Sequence, residues 1–397
     1  MDMRRDVRVE RVLEKDGRAA PWQDVDTGRA HRKNVVGPIE PELSPDSGSR
    51  NILFSPPAFL TLHPEERMTF PPFVFVYPPE GNPEIPRGTR LLWYPSIREL
   101  SFSPAGTTEH LDELIATGLV DDAESIRISD FAKKAVRLPD SIARLTSLRS
   151  VRIETSQFAD WPGVYRISTL RTLFVDEKVT ALPDGIGQLK ALEELTIKGK
   201  KIASLPEDLG SLPNLRTLVI VNAPITHLPD LSGLTALQTL RLVWTRKLKV
   251  LPDGLDTLAA LERVETDMVP LTEIPVGLAQ HANLRALVIR GGKVKKLPDV
   301  SWPQLRELEN FGPLKKLPKT FEAPALEHVV LGDALPALPP LPADSLQSLD
   351  VNAPLTSVDP ALASVNRLRL TCTKQAYAAL SDDEREAFGA RLRAAWQ

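Results

Sequence analysis

Through most of the chain, apolar residues fall in the order LxxLxL, then a polar turn, one more apolar residue, and a Leu-Pro pair. Leu192-Glu-Glu-Leu195-Thr-Ile197, Leu215-Arg-Thr-Leu218-Val-Ile220, Leu237-Gln-Thr-Leu240-Arg-Leu242 and Leu284-Arg-Ala-Leu287-Val-Ile289 are four copies. The alternation at Leu195 and Ile197 is the period of a strand that buries one face. Such a strand cannot bury that face alone, so neighbouring units must stack in parallel and share a continuous core. The closing pair recurs at Leu138-Pro139, Trp161-Pro162, Leu182-Pro183, Leu205-Pro206, Leu228-Pro229, Leu251-Pro252, Ile274-Pro275, Leu297-Pro298, Leu317-Pro318 and Leu338-Pro339. From Pro183 to Pro298 its spacing is 23 residues five times in succession. Proline fixes φ and has no N–H, so the return segment after each strand is predicted to be extended or 3₁₀-like instead of ladder-bonded.

This pattern resembles the leucine-rich repeat, in the bacterial variant with Leu-Pro at the start of its convex segment. The match runs over about residues 123–371, with strand starts near Ala123, Leu148, Leu170, Leu192, Leu215, Leu237, Leu261, Leu284, Leu305, Leu326, Leu346 and Val365. Ile97-Arg-Glu-Leu100-Ser-Phe102 reads as one earlier, degenerate strand. The resemblance implies an α/β repeat solenoid, a horseshoe with roughly a dozen parallel strands on its concave face. One departure concerns the turns. The family usually sets Asn or Cys at the ninth repeat position, where the side chain bonds the turn backbone; here that position holds Lys178, Lys200, Ala223, Thr245, Val269, Gly292, Pro313 and Ala334. The turns are therefore expected to be satisfied by backbone or water.

The two ends lack the repeat. Residues 1–96 are read as an N-terminal cap with a Pro-rich linker over 38–57; Arg8–Leu13 is a candidate hairpin strand, and Phe73–Tyr77 and Leu91–Tyr94 are predicted strands. The solenoid is placed at 97–371 and a capping helix at 372–397, where Ser381-Asp-Asp-Glu384 is a capping box and Phe388, Leu392 and Trp396 recur on one helical face. A longer chain beyond Gln397 would favour a further domain.

Composition then narrows the chemistry. The 36 prolines are explained by the repeat, and the formal charge of -3 gives no general field for nucleic acid or anionic membrane. A single cysteine, Cys372, excludes an internal disulfide framework and a Cys-based zinc cluster, and points to a reducing compartment. The N-terminus lacks the apolar core of a secretory signal, and no segment has the apolar length of a membrane span. The six histidines never fall at HxxxH or HExxH spacing, and Gly291-Gly292 forms no phosphate-binding loop. No cofactor, no metal and no catalytic residue is expected. Cys372 is read as a structural thiol; the acidic pairs at 121–122 and 382–383 are read as helix-end carboxylates; and the basic runs at 198–201, 293–296 and 315–316 are read as a solvated edge.

Function is then expected on the concave sheet face, which carries the positions that alternate with the inward leucines. There Val219, Val221, Val243, Trp244, Met268, Val288, Phe311 and Val330 would form one exposed apolar patch. Lys198, Asn222, Arg241, Arg290, Glu265, Asp267 and Asp350 would surround it. Aromatic, Met and Arg anchors within a charged rim are the composition of a protein interface. The repeats also look similar to the repeat domains of type III secretion effectors, which implies a monomeric module that binds a host protein. It would work in the bacterial cytoplasm or, once secreted, in the host cytosol. Two other readings stand beside it: the substrate arm of an effector ubiquitin ligase, and an intracellular bacterial scaffold.

Overall fold

The structure is a computed structural model that describes residues 98–394 apart from 104–110, 113–114, 117, 119, 130–136, 156–157, 159, 177, 319–320 and 333–334; before residue 98 it describes the backbone of five strands. The chain divides into two compact units, Met1–Leu170 and Arg171–Gln397.

In the first unit, β1 (Glu10–Val12) pairs antiparallel with β2 (Val35–Pro38). The partner of the expected hairpin strand is thus a distant segment and not a local one. β3 (Asn51–Phe54) runs parallel to β4 (Phe73–Val76); β4, β5 (Arg90–Tyr94) and β6 (Glu99–Ser103) are antiparallel neighbours. The parallel stack then begins, from β6 to β7 (Ser125–Ser129) and β8 (Ser150–Glu154). Leu100, Ile126, Ile128, Val151 and Ile153 point inward and are buried. Where most repeats close on Leu-Pro this unit has Trp161-Pro162, and the ring of Trp161 packs edge-on against Phe158 at 5.2 Å between centroids.

The second unit is a run of eleven strands, each parallel to the next. They are β9 (Thr172–Val175), β10 (Glu194–Lys198), β11 (Thr217–Val221), β12 (Thr239–Val243), β13 (Arg263–Asp267), β14 (Ala286–Arg290), β15 (Glu307–Asn310), β16 (His328–Leu331), β17 (Ser348–Leu355), β18 (Arg367–Cys372) and β19 (Leu392–Ala394). Equivalent residues face each other across every step, so Leu195, Leu218, Leu240, Val264, Leu287, Leu308, Val329 and Leu349 form one inward column, and all are fully buried. Burying each of these side chains contributes about 1.5–3 kcal/mol. Two inward positions are polar, Thr266 and Asn310, and Asn310 Oδ1 accepts a 2.7 Å hydrogen bond from the Gly312 N–H.

Beyond each Leu-Pro pair the chain is extended and then turns through short 3₁₀ segments, as at Pro206 with φ -66° and ψ 143° ahead of Glu207–Ser211. Successive return segments lie close together: a Cβ on Gly210 would stand 2.2 Å from the Asp230 carbonyl oxygen, so that position admits glycine alone. Asp208 ties two repeats by accepting from the Gly185 and Gly187 N–H groups at 2.8 and 2.9 Å.

At the C-terminal end the predicted capping box is present, but the helix spans only Asp382–Phe388. Gly389, with φ 55°, stops it, and Leu392 enters β19 beside β18 instead of extending a helical stripe; Trp396 lies outside the described residues. Arg391 holds this turn by donating to the carbonyls of Ala363, Val365, Ala387 and Phe388.

Candidate protein-interaction surface

Strand register arranges the outward side chains of the second unit in rows. One row runs Thr196, Val219, Arg241, Glu265, Val288, Glu309, Val330, Asp350, Arg369, and a second runs Lys198, Val221, Val243, Asp267, Arg290. Phe311 follows in the second row, its N–H donating to the Ile289 carbonyl at 3.0 Å. The third row lies one residue past the strand ends and holds Asn222, Trp244, Met268 and Gly291. All fifteen residues expected at the site lie on these rows, which share one sheet face.

The third row has a backbone conformation of its own. Asn222, Trp244 and Met268 have φ of 58°, 55° and 53°, and Gly291 has 70°. Left-handed backbone costs a residue with a Cβ about 1–2 kcal/mol. In return each N–H points at the next repeat: Asn222 donates to Val243, Trp244 to Asp267 and Met268 to Arg290, each at 2.7 Å. This extends the ladder past the strand ends and satisfies turns that lack the family's asparagine. Thr245, at the ninth position of the turn after β12, is buried with its hydroxyl unpartnered. A Cβ on Gly291 would lie 2.7 Å from Met268 Sδ, the mobile end of that side chain, so it is the left-handed backbone that favours glycine there.

The apolar patch is narrower than the sequence suggests. Trp244, Met268 and Phe311 are 47%, 47% and 46% exposed, and Val219, Val221, Val243 and Val330 are half-buried. Val288 is not part of it: it is fully buried. It stands in register between Glu265 and Glu309, and Arg290 bridges those carboxylates at 3.1 and 2.6 Å.

The charged rim is likewise engaged with itself. Glu265, 8% exposed, accepts from Arg241 at 3.3 Å, Arg263 at 3.5 Å and Arg290 at 3.1 Å, while Arg263 also reaches Glu307 at 2.6 Å. The Glu307 hydrogen bond holds the Arg263 guanidinium above its ordinary range. Arg290 is raised too: burial opposes its charge, and Glu309, Glu265 and Asp267 outweigh that. Asp350 pairs with Arg369 at 3.1 Å, and Lys198 sits over the Phe174 ring at 5.1 Å. Arg263, Glu307 and Glu309 were not among the expected site residues; their signal was opposite charge at neighbouring outward positions of successive repeats. Away from this face, Cys372 is buried, and desolvation pushes its thiol above the ordinary range. Among the described residues no three His, Cys, Asp or Glu side chains are placed to hold a metal ion. Nor does any described helix have the length and apolarity to cross a membrane.

No family model matches the chain, and no curated protein matches it. Solved structures do. A chain of the Toll–Spatzle complex, a molecular hub in Drosophila development and innate immunity, aligns with a TM-score of 0.55 and 18% identity over 75% of this chain and 47% of that one. The present chain thus spans about half the length of that match. The internalin InlF of Listeria monocytogenes aligns with a TM-score of 0.48 and 16% identity, over 70% of this chain and 81% of its own. The leucine-rich-repeat domain of the type III effector XopL aligns with a TM-score of 0.37 and 19% identity, over 54% and 72%. The parallel ladder, with the likeness at a TM-score of 0.55, shows the fold, a leucine-rich-repeat solenoid.

Proposed function

We propose that this leucine-rich-repeat solenoid is a protein-recognition module, without catalytic activity of its own, that seats a partner on the outward, concave face of its sheet. The observation that carries the reading is the set of Trp244, Met268 and Phe311. They are three large apolar side chains, each about half exposed, just past the ends of β12, β13 and β15, and two are held there at a cost in backbone strain. Strain at an exposed position that adds nothing to the core is characteristic of a functional site. Half-buried valines flank these anchors, and an ion-paired surface borders them, as in an interface with an apolar centre and a polar rim. The resemblance of the Leu-Pro repeats to effector repeat domains supports a narrower reading, a monomeric bacterial effector directed at a host protein.

The test is recovery of partners from plant-cell and bacterial lysates with the full chain, beside a Val243→Asp/Trp244→Asp variant of unchanged melting temperature. Aspartate tolerates left-handed backbone better than tryptophan does, so the variant should fold. Loss of an apolar anchor of this kind costs about 2–4 kcal/mol of binding. Partners lost with the variant support the reading; identical recovery by both proteins refutes it.

A further inference from the structure

The loops that leave the strand ends carry a second feature. In the unit's turns after β12, β14 and β15, one buried apolar residue, Leu248, Val294 or Leu314, is flanked by exposed cations: the 246–249, 293–296 and 315–316 loops contain Arg246, Lys247, Lys249, Lys293, Lys295, Lys296, Lys315 and Lys316. Backbone bonds set these loops in register. The Thr272 N–H donates to Lys249 and the Lys315 N–H to Lys295, both at 3.0 Å, and Lys296 bridges directly to Lys316. Lysines therefore stand directly opposite lysines, an arrangement that destabilises a ladder. None of the eight forms an ion pair with a described residue, and Glu273 is the one acid in the intervening turn. The chain as a whole is slightly acidic, so the positive charge is concentrated here and not spread over the surface.

We propose that this lysine edge holds an acidic polypeptide segment, and that the segment belongs to the partner seated on the sheet face, so the proposal rests on the reading given above. The edge adjoins that face: Trp244 precedes the first basic loop by one residue, and Phe311 lies in the turn that ends at Lys315. A protein whose apolar side chains settle on Trp244, Met268 and Phe311 would lay its adjoining chain along the lysines. A uniformly charged phosphate backbone fits less well. Within the basic loops themselves no aromatic side chain alternates with the lysines to stack successive bases.

The experiment measures binding of an oligoglutamate peptide to the full chain by fluorescence anisotropy. A single-stranded oligothymidylate of equal charge and phosphatidylserine vesicles are run in parallel. Oligoglutamate is expected to bind, to weaken steeply with added salt, and to bind the Lys295→Glu/Lys296→Glu/Lys315→Glu/Lys316→Glu variant weaker by on the order of tenfold or more. The four side chains are exposed and unpaired, and circular dichroism checks that the variant folds. Absence of oligoglutamate binding at low salt, equal binding by the variant, or tighter binding of the oligothymidylate or the vesicles overturns the proposal. Each of these outcomes leaves the sheet-face reading to be judged by its own variant.

Discussion

Both ends of the strands in the second unit carry charge on every few residues, yet the two edges are organised in opposite ways. At the strand starts, Arg171, Glu193, Arg216, Gln238, Glu262, Arg285, Arg306 and Glu327 form one column through backbone bonds of 2.8–2.9 Å from each repeat to the next. Signs mostly alternate along it, and Arg171–Glu193, Arg285–Glu262 and Arg306–Glu327 pair at 2.7, 3.3 and 3.0 Å. In the loops past β12, β14 and β15, Lys296 faces Lys316 and none of the cations forms an ion pair with a described residue. The repeat spacing is the same at both edges, so the period of the fold does not impose the difference. Exposed pairs contribute about 0–1 kcal/mol each, which makes the first edge a mild stabiliser. The second resembles a surface left for something outside the chain.

Four substitutions would break or sharpen this contrast. The largest effect is expected between the edges, where Glu265 neutralises three guanidinium groups at once. Glu265→Ala should lower the unfolding free energy by about 1–3 kcal/mol, because three part-exposed guanidinium groups lose a largely buried carboxylate that they share, and urea denaturation measures it. An unchanged midpoint would mean that the lattice is cosmetic. Next is the strained row beside the lysines: Met268→Gly should raise stability by about 0.5–1 kcal/mol through relief of left-handed backbone while weakening partner recovery, a pairing of effects that a purely structural methionine would not give. The smallest concerns the edges themselves. Lys296→Glu should stabilise by a few tenths of a kcal/mol and Glu327→Lys should destabilise by a similar amount. Both shifts should shrink as salt rises, which thermal unfolding at two ionic strengths would detect. Shifts of the same sign would erase the distinction.

The strands and their register were legible because inward leucines at period two leave one way for a repeat to face its neighbour, and the Leu-Pro spacing marks each return. What escaped the sequence depends on relations between repeats. Val288 reads as an exposed valine, but it is buried between Glu265 and Glu309 of the two neighbouring strands, which Arg290 bridges. The left-handed positions were hidden because tryptophan and methionine argue against that conformation, and only Asn222 and Gly291 in the same row hint at it. The C-terminal stripe of Phe388 and Leu392 has helical spacing, but one glycine at 389 turns it into a helix followed by a strand.

The hydrogen bonds of the third row bear on how fast and how cleanly a partner can dock. Trp244 and Met268 are solvent-facing side chains, but their amides are locked to the carbonyls of Asp267 and Arg290. In hydrogen exchange these amides should behave as part of the sheet and not as loop. A side chain on such a backbone has only its own rotamers left to lose on association, and each rotamer-rich side chain fixed at an interface costs about 0.5–1.5 kcal/mol without any backbone ordering added. The strain is met once, when the chain folds, and an arriving partner encounters anchors already aimed.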